Sequence, residues 1–342
     1  MMIQSAKLLA ALCVSLVFIA GDLLNASSLT ATAPPEIVQA PRSDHGWALV
    51  TEGDTTRITD REGHRQDLPL ERGESLFLLS DVGGHRGGRW IAGGTAVGEK
   101  RMDLLLTSGS RQTFQRLSVP DRDTTAQLRL RAVPLVSGER LVGLAWLEGS
   151  GHRSLAVRAS AWDGESWSSP VTVSPPRAGS QSGLVGTVLT DGSWLLAWTA
   201  FDGQDDEVLW SLRRENGWTP PERVHPGNQV QDVRPSLVAA HEGALLAWSR
   251  FDGTTYRTEL ARLHRQNWRP IELPRTRPAV EPTWVASDRW VALLLKTADP
   301  LGWTIRELAV DGTPRRRWVA TDAVESRPLI DPSGQQPKAR EW

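Results

Sequence analysis

The 342-residue chain carries 39 basic and 40 acidic side chains, a formal net charge of −1, and 16 Trp against one Tyr. Charges of both signs are interspersed, which leaves no global field to draw in nucleic acid or an anionic membrane. The single cysteine, Cys13, falls in an N-terminal apolar stretch, so the remainder of the chain has neither disulfides nor thiol chemistry.

Lys7 precedes the largely apolar stretch Leu8–Ala20, 13 residues long. That pattern predicts a signal peptide or an uncleaved membrane anchor over residues 1–24, with a Ser, Thr, Ala and Pro-rich linker over 25–36. The expected location is outside the cytoplasm, in a periplasm or on the outer face of the cytoplasmic membrane. Membrane contact would run only through this segment.

Beyond the linker the sequence repeats. Leu68, Phe114, Trp167, Trp218, Trp268 and Trp318 follow one another at intervals of 46, 53, 51, 50 and 50 residues. A second series, Trp47, Gly93, Trp146, Trp198, Trp248 and Leu295, runs in step with it at 46, 53, 52, 50 and 47. A period near 50 marks an array of one supersecondary unit. Its best-preserved copies are Leu196-Ala-Trp-Thr-Ala-Phe-Asp-Gly203 and Leu246-Ala-Trp-Ser-Arg-Phe-Asp-Gly253.

Within each unit two turn signals recur. Ser137-Gly138, Asp191-Gly192 and Glu242-Gly243 represent the first set; Asp163-Gly164, Asn216-Gly217 and Gln266-Asn267 represent the second. Runs between them, such as Ala244–Trp248 and Thr258–Leu263, have strand length and no helical period. Two hairpins make a four-stranded antiparallel sheet, so the expected fold is all-β, a six-bladed β-propeller behind an N-terminal leader. The expected blades are 37–70, 74–120, 128–173, 181–225, 232–273 and 280–321. A closing strand over 326–331, or else Ile37-Val38, would complete the ring, and 334–342 is a tail.

In such a ring the loops between second and third strands, and those leading into each first strand, gather on one face around the axis. The first group contributes Glu52, Glu148, Asp202 with Asp205 and Asp206, Asp252 and Asp299. The second contributes Arg131, Arg177, Asp232, Arg234, Glu281, Glu325 and Arg327. Asp202, Asp252 and Glu281 are the carboxylates best placed to act on a glycoside. Arg131, Arg234 and Arg327 lie near the starts of inner strands. Of the seven histidines only His152 and His225 reach this face, which argues against a His-rich metal centre. Asp202–Asp206 lacks the ligand register of a calcium loop and reads as a surface acidic loop. No metal and no cofactor is expected.

Asp163-Gly-Glu-Ser-Trp-Ser-Ser-Pro170 and Asn216-Gly-Trp-Thr-Pro-Pro221 resemble degenerate Asp boxes, the repeat of the BNR proteins whose best-known members are the sialidases. The resemblance implies a six-bladed propeller with these turns on the face away from the site. It also implies three arginines around a substrate carboxylate, for which Arg131, Arg234 and Arg327 are the candidates in this chain, and a Tyr nucleophile activated by a Glu. Here the only Tyr is Tyr256, and no Arg-Ile-Pro motif occurs near the N-terminus. The expectation is therefore a non-catalytic scaffold binding a protein partner or a glycan through its loop face. A sialidase-like glycoside hydrolase or lyase is the alternative.

Overall fold

The computed structural model describes strands between 48 and 118, nearly all of 128–273 and strands between 279 and 320, with side chains chiefly over 132–273. The expected leader, linker, closing strand with Arg327, and tail lie outside the described residues, as do the side chains of Arg131 and Glu281.

Every described element is a β-strand, and all strand pairing is antiparallel. Consecutive strands form six sheets. The first has three strands among the described residues, between Ala48 and Asp67. The second to sixth run over 75–118, 128–174, 181–223, 232–270 and 279–320. Four strands make up each of these, except that the outer strand of the fourth sheet is split into Gly217–Trp218 and Glu222–Arg223. Pro220 and Pro221 fall in the gap, where neither can donate to a ladder.

The first strands stand side by side in series. Ser75–Gly83 packs on Leu128–Ser137, that strand on Gln181–Val188, then Asp232–Ala240, then Ala279–Ala286. Sheets joined in this way bury both faces of their inner strands, and the composition follows. Trp194–Phe201 reads as an almost unbroken apolar run and is buried along its length to Ala200. The core consequently lies between sheets. One cluster joins Leu135, Ala145 and Val157 of the third sheet to Leu184, Leu196 and Trp198 of the fourth. Another joins Leu195, Val208 and Trp210 to Leu246, Trp248 and Leu263 of the fifth.

Among the described residues, Trp146, Trp198 and Trp248 of one series and Trp167, Trp218 and Trp268 of the other belong to this packing. Trp146 and Trp198 are fully buried, each burying roughly 150–250 Å² and contributing about 4–6 kcal/mol as an upper bound. Trp218 meets Trp194 edge to face at 6.3 Å, with the Arg213 guanidinium 4.0 Å above the Trp194 ring. Trp268 meets Trp210 in the same way at 6.0 Å.

Three hairpins share one turn. The Asp163, Asp202 and Asp252 amides donate to the carbonyls of Ser166, Asp205 and Thr255, while each Oδ1 accepts the amides two and three residues on, at 2.8–3.1 Å. Gly164, Gly203 and Gly253 follow with φ of 114°, 113° and 94°, which an L residue rarely adopts. The turn expected at Gln266-Asn267 falls one residue earlier. His264 pairs with Asn267, and Arg265 and Gln266 take φ of 48° and 72° between them. The Leu263↔Trp268 pairing decides this, because a one-residue slip would turn Trp268 away from its apolar neighbours.

Candidate functional site

Four first strands bulge at one register position. The pairs Arg131-Ala132, Gly183-Leu184, Arg234-Pro235 and Glu281-Pro282 each stand opposite a single residue of the second strand, namely Trp146, Trp198, Trp248 and Leu295. Three residues expected at the site, Arg131, Arg234 and Glu281, therefore occupy equivalent backbone positions on neighbouring sheets. Two of these bulges hold a left-handed residue. Gly183 supplies it at φ 60°, whereas Arg234 adopts φ 55° with a side chain and remains exposed. Tyr256 lies nearby. Its hydroxyl donates to Gln231 Oε1 at 2.9 Å and its ring tilts against Phe251 at 5.3 Å. Burial pushes the phenol pKa up, the Arg234 guanidinium opposes that, and Asp206 adds to it.

Next to these lies a buried hub on Asp232, the first residue of the fifth sheet and fully inaccessible. Its Oδ1 accepts Trp248 Nε1 and Arg250 Nε, both at 2.8 Å. Its Oδ2 accepts His225 Nε2 at 2.7 Å, Asn228 Nδ2 at 2.8 Å and Arg250 Nη2 at 3.2 Å. Burial would raise this carboxyl, but the His225 and Arg250 hydrogen bonds outweigh it and hold Asp232 below the ordinary carboxylate range. His225 lies parallel to Trp248, with centroids 5.7 Å apart. Its other nitrogen faces Pro226 O at 2.5 Å. Arg250 Nη2 also lies 2.5 Å from Nε2; a guanidinium only donates, so this contact asks for a bare Nε2 while the bond to Asp232 asks for a protonated one. Burial lowers the His225 pKa, yet the bond to Asp232 wins and raises it. The third sheet has a smaller version, in which Glu148 accepts Trp146 Nε1 at 2.8 Å and pairs with Arg158 Nε at 2.9 Å.

Of the expected carboxylates, Asp202 and Asp252 sit in equivalent hairpins as turn caps. Each also pairs with an arginine at 2.6 Å, Arg223 and Arg257 respectively. Backbone amides, first among the causes, hold both below the ordinary range. In the loop expected on the surface at 202–206, residues 202–204 are exposed and Asp205 turns inward. Asp205 is 7 % exposed and Glu207, two residues on, is inaccessible. Asp205 closes the turn and Glu207 lies in the strand that follows, where it meets the segment leading into the fifth sheet. Glu207 Oε1 accepts the Asn228 amide at 3.2 Å and lies 3.9 Å from Arg223 Nη1; its Oε2 lies 3.6 Å from His225 Nε2 without a hydrogen bond. Neither oxygen of Asp205 has a hydrogen-bond partner. Burial first, then Glu207 and Asp202, push its pKa up to about 6. Burial likewise raises Glu207.

Ligand atoms of Asp202, Asp205 and Glu207 fall within 4.8 Å of one another, as do those of Glu207, His225 and Asp232. The run of three acids Asp205-Asp206-Glu207 was the available signal for an acidic cluster, but it does not distinguish which of them turn inward. The convergence on Asp232 carried none, since its partners are spread from 225 to 250. Among the described residues no helix is long and apolar enough to cross a membrane.

No protein-family model and no curated protein matches the chain. Solved structures do. A polysaccharide lyase, a PL25 ulvan lyase, superposes with a TM-score of 0.51 at 10% identity, over 85% of this chain and 82% of that one. A puromycin-hydrolysing peptidase of Mycobacterium tuberculosis superposes at 0.50 and 14% identity, over 90% of this chain and 50% of that one. The chain thus spans half the length of that peptidase, and 43% of a prolyl endopeptidase that it also matches. A lectin of Aleuria aurantia in complex with Fucalpha1-6GlcNAc matches at 0.45 and 10% identity, over 84% of this chain and 97% of that one. At these identities the likeness is one of fold alone. Together with the serial antiparallel sheets it makes the chain propeller-like.

Proposed function

We propose that the chain is a non-catalytic β-propeller that binds a glycan, one bearing carboxylate or sulfate groups, at the end where its first strands bulge. The observation that carries this reading is Arg234. It holds a left-handed backbone that costs an L residue about 1–2 kcal/mol, at a position where the preceding sheet uses glycine. Strain kept at an exposed charged residue is a mark of function. Arg131 occupies the equivalent backbone position in its own bulge, and a guanidinium fork suits planar anionic groups. The ulvan lyase fold was also solved bound to -[GlcA(1-4)Rha3S]-, a saccharide with a uronate, and this supports an acidic glycan as the ligand class.

A glycoside hydrolase or lyase fits less well. Asp202 and Asp252 are engaged in turns, Tyr256 donates to an amide, and Asp205 and Glu207 are too buried for a sugar to reach. In the same proposal the six sheets close as a ring related to the Asp-box propellers, whose turn Asp163 would represent. Residues 1–24 would direct the chain out of the cytoplasm.

The test is binding of uronate-containing and sulfated oligosaccharides against neutral ones by affinity electrophoresis, with Arg234→Ala alongside. Retardation by acidic glycans alone, lost in the variant, is expected. Equal retardation by neutral glycans, or none by any, would overturn the proposal.

A further inference from the structure

We infer that Asp202, Asp205 and Glu207 form a binding site for a hard divalent cation of the calcium class, built into the hairpin and strand that face the fifth sheet. An acidic cluster alone would not justify this; the state of Asp205 does. It is more than nine-tenths buried, both its oxygens are inaccessible, and neither has a hydrogen-bond partner. Glu207 Oε2, also inaccessible, lacks one too. Buried acceptors are rarely left unsatisfied, and two adjacent carboxylates ask for a shared positive ligand. The charge count agrees. Asp202, Asp205, Glu207 and Asp232 are four carboxylates, offset nearby by the guanidiniums of Arg223 and Arg250 and by His225. Negative charge remains even with His225 protonated, and it remains on the side of Asp205.

The donor set decides the metal class. All three residues present oxygen, and calcium takes six to eight oxygens from carboxylates, carbonyls and water. Asp202 already accepts the Gln204 and Asp205 amides through Oδ1 and Arg223 through Oδ2, so it can lend only one further lone pair. Glu207 Oε1 accepts the Asn228 amide, which leaves Oε2 free to coordinate. Asp205 can offer both oxygens. The neighbouring set of Glu207, His225 and Asp232 contains an imidazole and would suit zinc, but both His225 nitrogens and both Asp232 oxygens are already committed. A cation at Asp205 would tie the hairpin of the fourth sheet to the segment leading into the fifth, next to the Arg234 bulge.

The experiment uses the whole chain after EDTA treatment. Calcium chloride is titrated while thermal unfolding is followed, and terbium luminescence is excited through tryptophan as an independent reading of occupancy. A saturable rise in Tm with calcium, and terbium emission displaced by calcium, are expected. Asp205→Asn should weaken calcium at least about tenfold, the lower end of what losing even an outer-shell partner costs. Without metal it should unfold no lower than the metal-free parent, because a buried unpaired charge has been removed. Should that variant prove unstable, Glu207→Gln with terbium emission carries the same test. The inference is overturned if neither Tm nor emission responds up to about 5 mM calcium, above the ~1 mM limit for extracellular modules. Binding retained in both variants overturns it too. So does binding of zinc alone that His225→Gln abolishes, which would assign the other set.

Discussion

Replacing Arg234 by glycine and by alanine separates what its backbone costs from what its side chain does. Both variants remove the guanidinium and whatever it contacts, and both keep Pro235 after the bulge. They differ in the residue asked to hold φ near 55°. Alanine there retains a left-handed penalty of about 1–2 kcal/mol, which glycine does not have. Glycine gives back about 0.5–1 kcal/mol through its larger unfolded-state entropy. Arg234→Gly should therefore be more stable than Arg234→Ala by about 0.75 kcal/mol at the centre of a span of about 0–1.5, or roughly 2–3 °C in Tm at that centre for a domain of this size. Urea titrations of both variants with equal m-values give the difference directly. Both should lose affinity for acidic glycans to the same extent. A glycine variant no more stable than the alanine one would refute the argument that strain is stored at this bulge, and with it the main support for Arg234 as a binding residue.

Other consequences follow from the same geometry. Asp232→Asn takes the charge from a hub with five donors and leaves Arg250 short of its partner; a loss of about 3–5 kcal/mol is expected, discounted toward ~2–3 because Arg250 is 26% exposed, and urea unfolding measures it. Asp252 has its folded pKa depressed by the Thr255 and Thr254 amides, so its contribution exists above the unfolded value and fades as pH falls through the folded one. Asp252→Ala should accordingly lower Tm at neutral pH and make no difference once both states are protonated, well below ~3.9. Gly143→Ala would set a methyl 2.3 Å from the Trp194 ring and 2.9 Å from the Ser160 carbonyl; overpacking between the third and fourth sheets should cost about 1–3 kcal/mol by the same assay.

Where the strands and turns lie was written in local pattern. Alternation, Asp-Gly dipeptides and two tryptophan series at a common spacing all act within one hairpin or between a sheet and its identical neighbour, so a repeat of about 50 residues displays them directly. Trp198 and Trp248 are legible because a large ring on a doubly buried strand has one destination. The chemistry of the acids was not legible in that way. Asp202 and Asp205 lie in one short loop with the same side chain, yet one caps a turn at an exposed tip and the other is buried without a partner. What separates them is the neighbouring sheet. Glu207 meets the segment 224–231, Asp205 lies beside Glu207, and Asp232 collects partners from residues 225, 228, 248 and 250. Likewise a charged residue before an inner strand is ordinary, and only strand register shows that Arg131, Gly183, Arg234 and Glu281 share one bulge. Sequence by itself determined the repeat, the strand class and the tryptophan core, since these depend on near neighbours. Tertiary structure alone decided which carboxylates are spent on turns, which are buried and unmatched, and where backbone strain is held, because burial and pairing depend on distances between residues far apart along the chain.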